Sequence, residues 1–326
     1  MREISYSQAI REALREEMQR DAGVFLIGED IGLCGGAFGV SDGLLDEFGP
    51  ERVIDTPISE SAIVGAAMGA AMLGLRPVAE IMLADLMGLV VDQLAAAAKV
   101  HYVHAGRLAL PLVVRTANGG VAGWGPYHGQ STEGWLLNVP GLYLALPATP
   151  HDAKGLLKAA IRDPNPVVFF EDKGLYALRG PVPEREYTVP LGIADVKREG
   201  EDVTVVAIGR AVHTALQAAE LLAQRGIEVE VIDPRTLVPL DRITILTSVE
   251  KTGRLVVAHE SARSGGPGAE IAAIVAEEAL EYLVAPIVRV ANPDTIVPFS
   301  PVLWERVIPT PERVIAGVER VMAYAA

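Results

Sequence analysis

The chain has 326 residues, half of them apolar and 21% charged, which is enough apolar material for two domains and far from a disordered composition. Twenty-eight basic side chains against forty-two acidic ones give a net charge of −14, a sign that repels phosphate backbones and argues against nucleic-acid binding. Cys34 is the only cysteine, which excludes an internal disulfide and a Cys-clustered zinc site.

The N-terminus, Met1–Ser7, is mixed in charge and runs straight into a helical pattern, without the look of a signal or transit peptide. The longest apolar run, Ala62–Leu75, falls short of the roughly 20 residues that span a bilayer. The expectation is a soluble, cytoplasmic protein of a reducing compartment, with no membrane partner.

In chain order, Val24–Ile27 predicts a buried strand, Ser59–Leu75 a helix, Pro77–Ile81 a strand and Gly88–His104 a helix. Pro111–Arg115 and Leu142–Leu146 predict strands, Thr149–Arg162 a helix opened by Thr-Pro, and Val167–Phe170 a strand. Strands without polar alternation, separated by helices, imply parallel sheets covered on both faces. The alternation breaks at Leu178–Gly192, where Pro181, Pro183 and Pro190 suggest a linker. It resumes with strand Val203–Ile208, helix His213–Gln224, strands Val229–Ile232 and Leu255–Ala258, helix Gly268–Leu283 and strand Ile287–Ala291. The fold class is therefore α/β, in two domains of mostly parallel sheet flanked by helices, over 1–185 and 186–326.

Two glycine-rich segments, Gly32–Gly39 and Gly265–Gly268, lack the Gly-x-Gly-x-x-Gly spacing of a dinucleotide fold, and neither precedes a Walker lysine. Glu60 is more informative. It follows Ser59, the expected N-cap, and opens a helix with almost no other charge. A first-turn glutamate favoured by the helix dipole is the structural alternative; a carboxylate at the mouth of an apolar element is the functional one. Gly65 and Gly69, four apart on that helix, leave a small-residue face for close packing or for a subunit contact.

His128 lies in a Gly-rich loop, Gly119–Glu133, where an imidazole can face a cleft and transfer protons near neutral pH, unless it is simply a surface residue. His101 and His104 share a helix without a third ligand and do not predict a metal site. His259 is expected at the end of a strand, where functional groups of parallel sheets collect.

Several segments occur together in a telling order. They are Asp55-Thr-Pro-Ile-Ser-Glu60, Arg76-Pro-Val-Ala-Glu-Ile81, Asp92-Gln93 with Ala97 and Lys99, and His128-x-Gln130. Pro140-Gly-Leu142, Asp152-Ala-Lys-Gly-Leu156, Ile161-Arg-Asp-Pro-Asn-Pro166, Asp233-Pro-Arg-Thr236 and Pro293-Asp294 complete the series. With these the whole chain resembles the beta subunit of thiamine-diphosphate-dependent 2-oxo acid dehydrogenases, a transketolase-like family that includes pyruvate, branched-chain and acetoin enzymes.

The resemblance implies a transketolase pyrimidine-binding domain followed by a transketolase C-terminal domain. It implies that Glu60 hydrogen-bonds the aminopyrimidine ring of thiamine diphosphate. That bond drives the 4-amino group toward the imino form that can deprotonate the thiazolium carbon. Glu29, Ile58, Ser59, Met82 and Leu86 fall at cofactor-proximal positions. His128 matches the histidine that assists acyl transfer to a lipoyl group. Leu112, Ala160, Ile161, Asp163 and Asn165 match a potassium site made largely of carbonyl oxygens.

The Gly-Asp-Gly segment that holds magnesium and diphosphate in thiamine enzymes is absent; Ser41-Asp-Gly43 is the nearest approach. The resemblance thus implies an alpha subunit that supplies the magnesium half of the site in an α2β2 heterotetramer, and a lipoylated acyltransferase as further partner. The activity implied is oxidative decarboxylation of pyruvate or a branched-chain 2-oxo acid, with acetoin cleavage as the alternative. The chain departs from the family at Gly129, where serine is usual, at Leu86, where an aromatic is common, and at Met82, where a polar residue is frequent. The changes at Gly129 and Leu86 motivate a third reading, a scaffold subunit without catalysis.

Overall fold

The computed structural model describes residues 1–324, and its contacts divide the chain into two units. One comprises 1–118 and 136–191, the other 119–135 and 192–326. The loop carrying His128 thus groups with the C-terminal half of the chain.

The first unit begins with strand β1 (Arg2–Ser5) and helix α1 (Tyr6–Arg20). Ser5 caps α1 by accepting the Gln8 N–H at 3.1 Å, and the Gln8 side chain accepts the Ser5 N–H at 2.9 Å, a reciprocal box that fixes the first turn. There follow β2 (Val24–Gly28), α2 (Leu44–Phe48), β3 (Val53–Asp55), α3 (Glu60–Met72), β4 (Arg76–Ile81), α4 (Val91–Val103) and β5 (Val113–Asn118). A short helix α5 (Glu133–Leu137), β6 (Tyr143–Ala145), α6 (Pro150–Arg162), β7 (Val167–Asp172) and β8 (Arg179–Val182) complete the series.

Six strands of this unit stand in the order β6-β7-β5-β4-β2-β3, all parallel. β5 and β7 are buried along their whole length, as central parallel strands covered on both faces must be. α1 turns Tyr6, Ile10, Leu14 and Met18 into a core shared with Val24, Leu26, Leu156, Leu157 and Phe169, the i, i+4 spacing of an amphipathic helix.

α1 also packs on α6 through charge. Lys154 and Lys158 are fully buried, and Lys154 Nζ donates to Glu12 at 3.0 Å and Glu16 at 2.6 Å. Lys158 Nζ donates to the other oxygen of Glu16 at 2.6 Å and to Glu186. The shared carboxylate of Glu16 is held below its usual range by the two lysines, against the opposing effect of its own burial.

Several boundaries differ from the sequence reading. α3 stops at Met72, short of Leu75, because Gly74 takes φ +94° and the N–H groups of Gly74 and Leu75 close back on Ala71 and Ala70, a glycine-terminated Schellman end. The helix expected over Gly88–His104 resolves into a 3-10 turn, Ala84–Leu89, and α4. The strand expected over Pro111–Arg115 starts at Val113 and runs to Asn118. The segment read as a linker opens as a strand: β8 pairs antiparallel with β1, Arg2 opposite Val182 and Ser5 opposite Arg179. Pro181 is tolerated there because the pair is two-stranded and presents edges.

The second unit contains β9 (Asp195–Arg198), β10 (Val203–Ala207), α7 (Ala211–Ala223), β11 (Val229–Asp233), the short β12 (Thr236–Val238), α8 (Arg242–Thr252) and β13 (Leu255–Ala262). α9 (Pro267–Glu278), β14 (Val288–Asn292), α10 (Pro301–Val307) and α11 (Pro311–Met322) follow. The sheet order is β14-β13-β10-β11-β9, parallel except where β9 runs against β11. Thr310 caps α11 ahead of Pro311, repeating the Thr149-Pro150 start of α6.

His259 is not at a strand end. β13 continues to Ala262, and the imidazole is wholly buried, with no side-chain hydrogen-bond partner for either ring nitrogen among the described residues. Gly266 and Gly268 at the start of α9 close over it; a Cβ on Gly268 would stand 2.5 Å from His259 Nε2. Burial, helped by the Arg289 guanidinium, pushes the imidazole down to about 4. The unfolded chain takes up this proton near the ordinary 6.5, so between those values it binds more protons than the fold. Stability therefore falls as pH drops from about 6.5 toward 4. At about 1.4 kcal/mol per unit the full effect is about 3 kcal/mol. Thermal melts across that range should show the acid loss in the wild type and a flatter profile in His259→Leu; parallel profiles would contradict this.

Candidate cofactor site and the histidine loop

All six parallel strands of the first unit point their carboxyl ends to one edge, the edge where open α/β sheets collect ligands. Glu29 directly follows β2 and Glu60 opens α3 just beyond β3. The pairing of Gly28 with Asp55 aligns the two exits, and the Thr56 N–H extends it by donating to Gly28 O at 2.9 Å. Asp55 then ties the next loop down, accepting the N–H groups of Gly32 at 2.6 Å and Leu33 at 3.2 Å. A Cβ on Gly32 would stand 2.6 Å from Asp55 Oδ2, so only glycine allows this grip.

Within this frame Glu60 is half-buried, and its carboxylate forms no ion pair among the described residues. Ser59 occupies the N-cap position but its hydroxyl makes no capping bond, contrary to the expectation from sequence, and Ile58 is 76% exposed. Partial burial first, then the charges of Asp30 and Glu60, raise the Glu29 carboxyl above the usual range; the structure therefore brings Glu29 and Glu60 within electrostatic reach of each other. Thr56 Oγ1 is buried without a hydrogen-bond partner among the described residues. Met82 and Leu86 are half-buried at the end of β4 and in the Ala84–Leu89 turn, which is tied to α3 where Ser61 Oγ donates to Leu89 O at 2.6 Å.

An uncommitted carboxylate at a helix start, a second acid that protonates more easily, an orphaned hydroxyl and two apolar side chains are a donor set that fits a ring with hydrogen-bonding nitrogens. Nothing in this set is suited to a diphosphate.

One feature escaped the sequence reading. Arg115 on β5 lies buried between neighbouring strands, donating to Glu80 on β4 at 2.7 Å and to both oxygens of Glu171 on β7 at 2.6 and 2.9 Å. Tyr176 adds its hydroxyl to Glu171 at 2.9 Å. Burial raises both the Glu171 carboxyl and the Tyr176 hydroxyl. In sequence each acid merely follows a run of apolar residues; only strand order shows that they share one arginine.

The five residues matched to a potassium site gather at the C-terminal end of α6. Leu110 N–H donates to Pro164 O, and Leu112 O accepts the Val167 N–H, both at 2.8 Å. Asp163 Oδ1 accepts the backbone and side-chain N–H groups of Asn165 at 2.8 and 2.9 Å. Arg76 Nη1 reaches Ile161 O at 2.9 Å and Asp163 O at 3.5 Å. The carbonyls of Ile161 and Asp163 are thus occupied by a guanidinium, that of Leu112 by the Val167 N–H and that of Ala160 by the Asp163 N–H. No group of three or more His, Cys, Asp or Glu among the described residues could hold a metal ion.

His128 belongs to the second unit, exposed on the 119–135 loop, its ring edge-on to Trp124 at 6.3 Å. Tyr127, Pro126 and Gln130 of the same loop face Ser264, Ile296 and Val297 across a cleft of about 750 Å³. Gly129, the departure from the family pattern, has a physical cause. A Cβ there would stand 2.6 Å from Gly125 O and 3.2 Å from Val297 Cγ1.

Replacing Gly129 by serine should therefore displace the Gly125–Tyr127 turn and cost about 1 to 3 kcal/mol, as overpacking does. A lowered melting temperature would register this; an unchanged one would show that the turn yields freely.

The transketolase pyrimidine-binding domain model matches residues 2–179 and the transketolase C-terminal domain model residues 192–314. The chain is 48% identical to the acetoin:2,6-dichlorophenolindophenol oxidoreductase beta subunit of Bacillus subtilis, covering 97% of this chain and 96% of the relative. It is 46% identical to the 2-oxoisovalerate dehydrogenase beta subunit of the same organism, over 98% and 99%. It is 45% identical to that organism's pyruvate dehydrogenase E1 beta subunit, over 92% and 93%. A solved split-gene transketolase, an inactive beta4 tetramer, superposes with a TM-score of 0.82 at 24% identity, covering 99% of this chain and all of that one, a likeness of fold. With both domain models and relatives at this identity over nearly its full length, the chain belongs to the transketolase-type, thiamine-diphosphate-dependent E1 beta subunits of 2-oxo acid dehydrogenases.

Proposed function

We propose that this chain is the beta subunit of the decarboxylating component of a 2-oxo acid dehydrogenase complex, contributing the pyrimidine half of a thiamine diphosphate site. The observation that carries the reading is Glu60: a half-buried carboxylate, unpaired among the described residues, opening an apolar helix beside a Glu29 whose carboxyl is raised. When bound, the cofactor supplies the nucleophilic carbon and the electron sink for decarboxylation.

The chain's own residues do the rest. Glu60 holds a proton between its carboxyl oxygen and the pyrimidine nitrogen. Glu29 keeps further negative charge off that edge by protonating more easily. Ile58 and Ser59 precede Glu60 at the mouth of the site, and Met82 and Leu86 support the ring by contact and exclude water. His128 protonates the departing thiolate of a lipoyl group, a role an imidazole fills near neutral pH. An alpha subunit brings magnesium and the diphosphate contacts in an α2β2 assembly, and a lipoylated acyltransferase accepts the acyl group. Potassium at Leu112, Ala160, Ile161, Asp163 and Asn165 belongs to the same reading through the family resemblance, and it would have to displace the Arg76 guanidinium from the Ile161 carbonyl. The net charge of −14 favours docking of a basic domain of the acyltransferase.

The second reading, acetoin cleavage, draws on the 48% identity to an acetoin oxidoreductase subunit. The test is co-expression with an alpha subunit, followed by ferricyanide reduction with pyruvate, branched-chain 2-oxo acids and acetoin in the presence of thiamine diphosphate and magnesium. Turnover of a 2-oxo acid with carbon dioxide release supports the first reading, and turnover of acetoin without it supports the second. An assembled complex silent toward all of them would overturn both.

In that complex Glu60→Gln should lower kcat by a hundredfold or more, within the range of about 10² to 10⁴ for a lost proton-transfer group, while assembly persists on gel filtration. Normal turnover would remove Glu60 from the mechanism. His128→Ala should depress acyl transfer to lipoyl domains at least tenfold more than ferricyanide reduction; equal losses would place its role before acyl transfer.

A further inference from the structure

His128 sits on a loop, and an imidazole that must meet a thiolate within hydrogen-bond reach needs that loop fixed. The loop is closed on itself: Gly119 N–H donates to Gln130 O at 3.1 Å, and Gln130 Nε2 donates to Pro126 O at 3.0 Å. Two consecutive residues of β13 hold its two ends. Glu260 Oε2 accepts the Gly120 N–H at 3.2 Å, while Ser261 Oγ donates to Glu133 Oε1 at 2.6 Å and lies 3.3 Å from Ser131 O.

Glu260 is itself held. Arg210 Nε donates to its other oxygen at 2.6 Å, and the Arg210 guanidinium lies 5.1 Å over the Trp304 ring. Trp304 leaves no room for slack: a Cβ on Gly120 would stand 2.7 Å from its Nε1. At 8% exposure Glu260 is sheltered enough for its bonds to be charge-assisted and short of competing water.

We propose that Glu260, clamped by Arg210 against Trp304, is a positioning residue that fixes the His128 loop through the Gly120 N–H. For its catalytic half this rests on the role given to His128 above. The loop-fixing half stands on the geometry of this unit alone.

Hydrogen exchange on the full chain tests the loop. Glu260→Ala should accelerate exchange across 119–130 at least tenfold and leave β10 at wild-type rates. Glu260→Gln, which keeps an oxygen for Gly120, should restore most of the protection. Glu260→Asp, too short to reach, serves if the alanine variant loses protection in β10 as well, and should loosen the same segment. Wild-type exchange in 119–130 for both Glu260→Ala and Glu260→Asp would overturn the proposal.

In the reconstituted complex, Glu260→Ala should lower kcat for lipoyl acylation about tenfold while KM for the 2-oxo acid stays within twofold. Added to His128→Ala it should cost nothing further; a full additional tenfold loss would show that Glu260 does not act through His128. If the wild-type complex turns nothing over, the functional reading fails and the exchange data still decide whether Glu260 fixes the loop.

Discussion

A parallel strand cannot be joined to its neighbour by a tight turn, so every strand of the six-stranded run β6-β7-β5-β4-β2-β3 must finish at the same edge and return by a crossover. The candidate site depends on that constraint. Glu29 leaves β2, Glu60 enters the helix after β3, and Met82 leaves β4; they converge because the order β4-β2-β3 makes those exits neighbours. The Asp55 carboxylate converts that adjacency into a fixed loop by holding the Gly32 and Leu33 amides.

Charge is distributed by the same economy. Three buried cations are each held by more than one carboxylate: Arg115 by Glu80 and Glu171, Lys154 by Glu12 and Glu16, Lys158 by Glu16 and Glu186. Removing one partner of such a group strands a charge in low dielectric, which is far costlier than the pair is worth. Glu60 stands outside these networks, which leaves it available to a ligand. His259 is the opposite case, a titratable group sealed away with no side-chain hydrogen-bond partner among the described residues, and its burial makes it a core residue in effect.

Much of this was legible in the sequence. The short runs of β-branched and other apolar residues that open β2, β5, β7 and β10 announce central parallel strands, and Glu60 stands out as the lone charge of an apolar helix. What was not legible depends on partners distant in sequence. β1 and β8 carry no strong strand signal and form only because Arg2–Ser5 meets Arg179–Val182. The effect of Glu60 on Glu29 follows from the Gly28–Asp55 register. Glu260 and Arg210 are fifty residues apart, and nothing local marks them as a pair. α11 was missed although it carries a start signal: Thr310-Pro311 repeats Thr149-Pro150 and is followed by apolar Val314, Val318 and Val321. The glycine at 129 looked like a lost hydroxyl, and the carbonyl of Gly125 shows it to be a steric necessity.

The β1–β8 pairing also sets a schedule. The first four paired residues of the chain wait for residues 179–182, and α1 waits for α6, whose lysines neutralise its acids. On a ribosome adding about 5 to 20 residues per second, the N-terminal segment therefore exists for roughly ten to forty seconds without the partners that bury it. During that interval Ile4, Ile10 and Leu14 are open to whatever binds apolar nascent chain, so this unit closes by capturing its own beginning last.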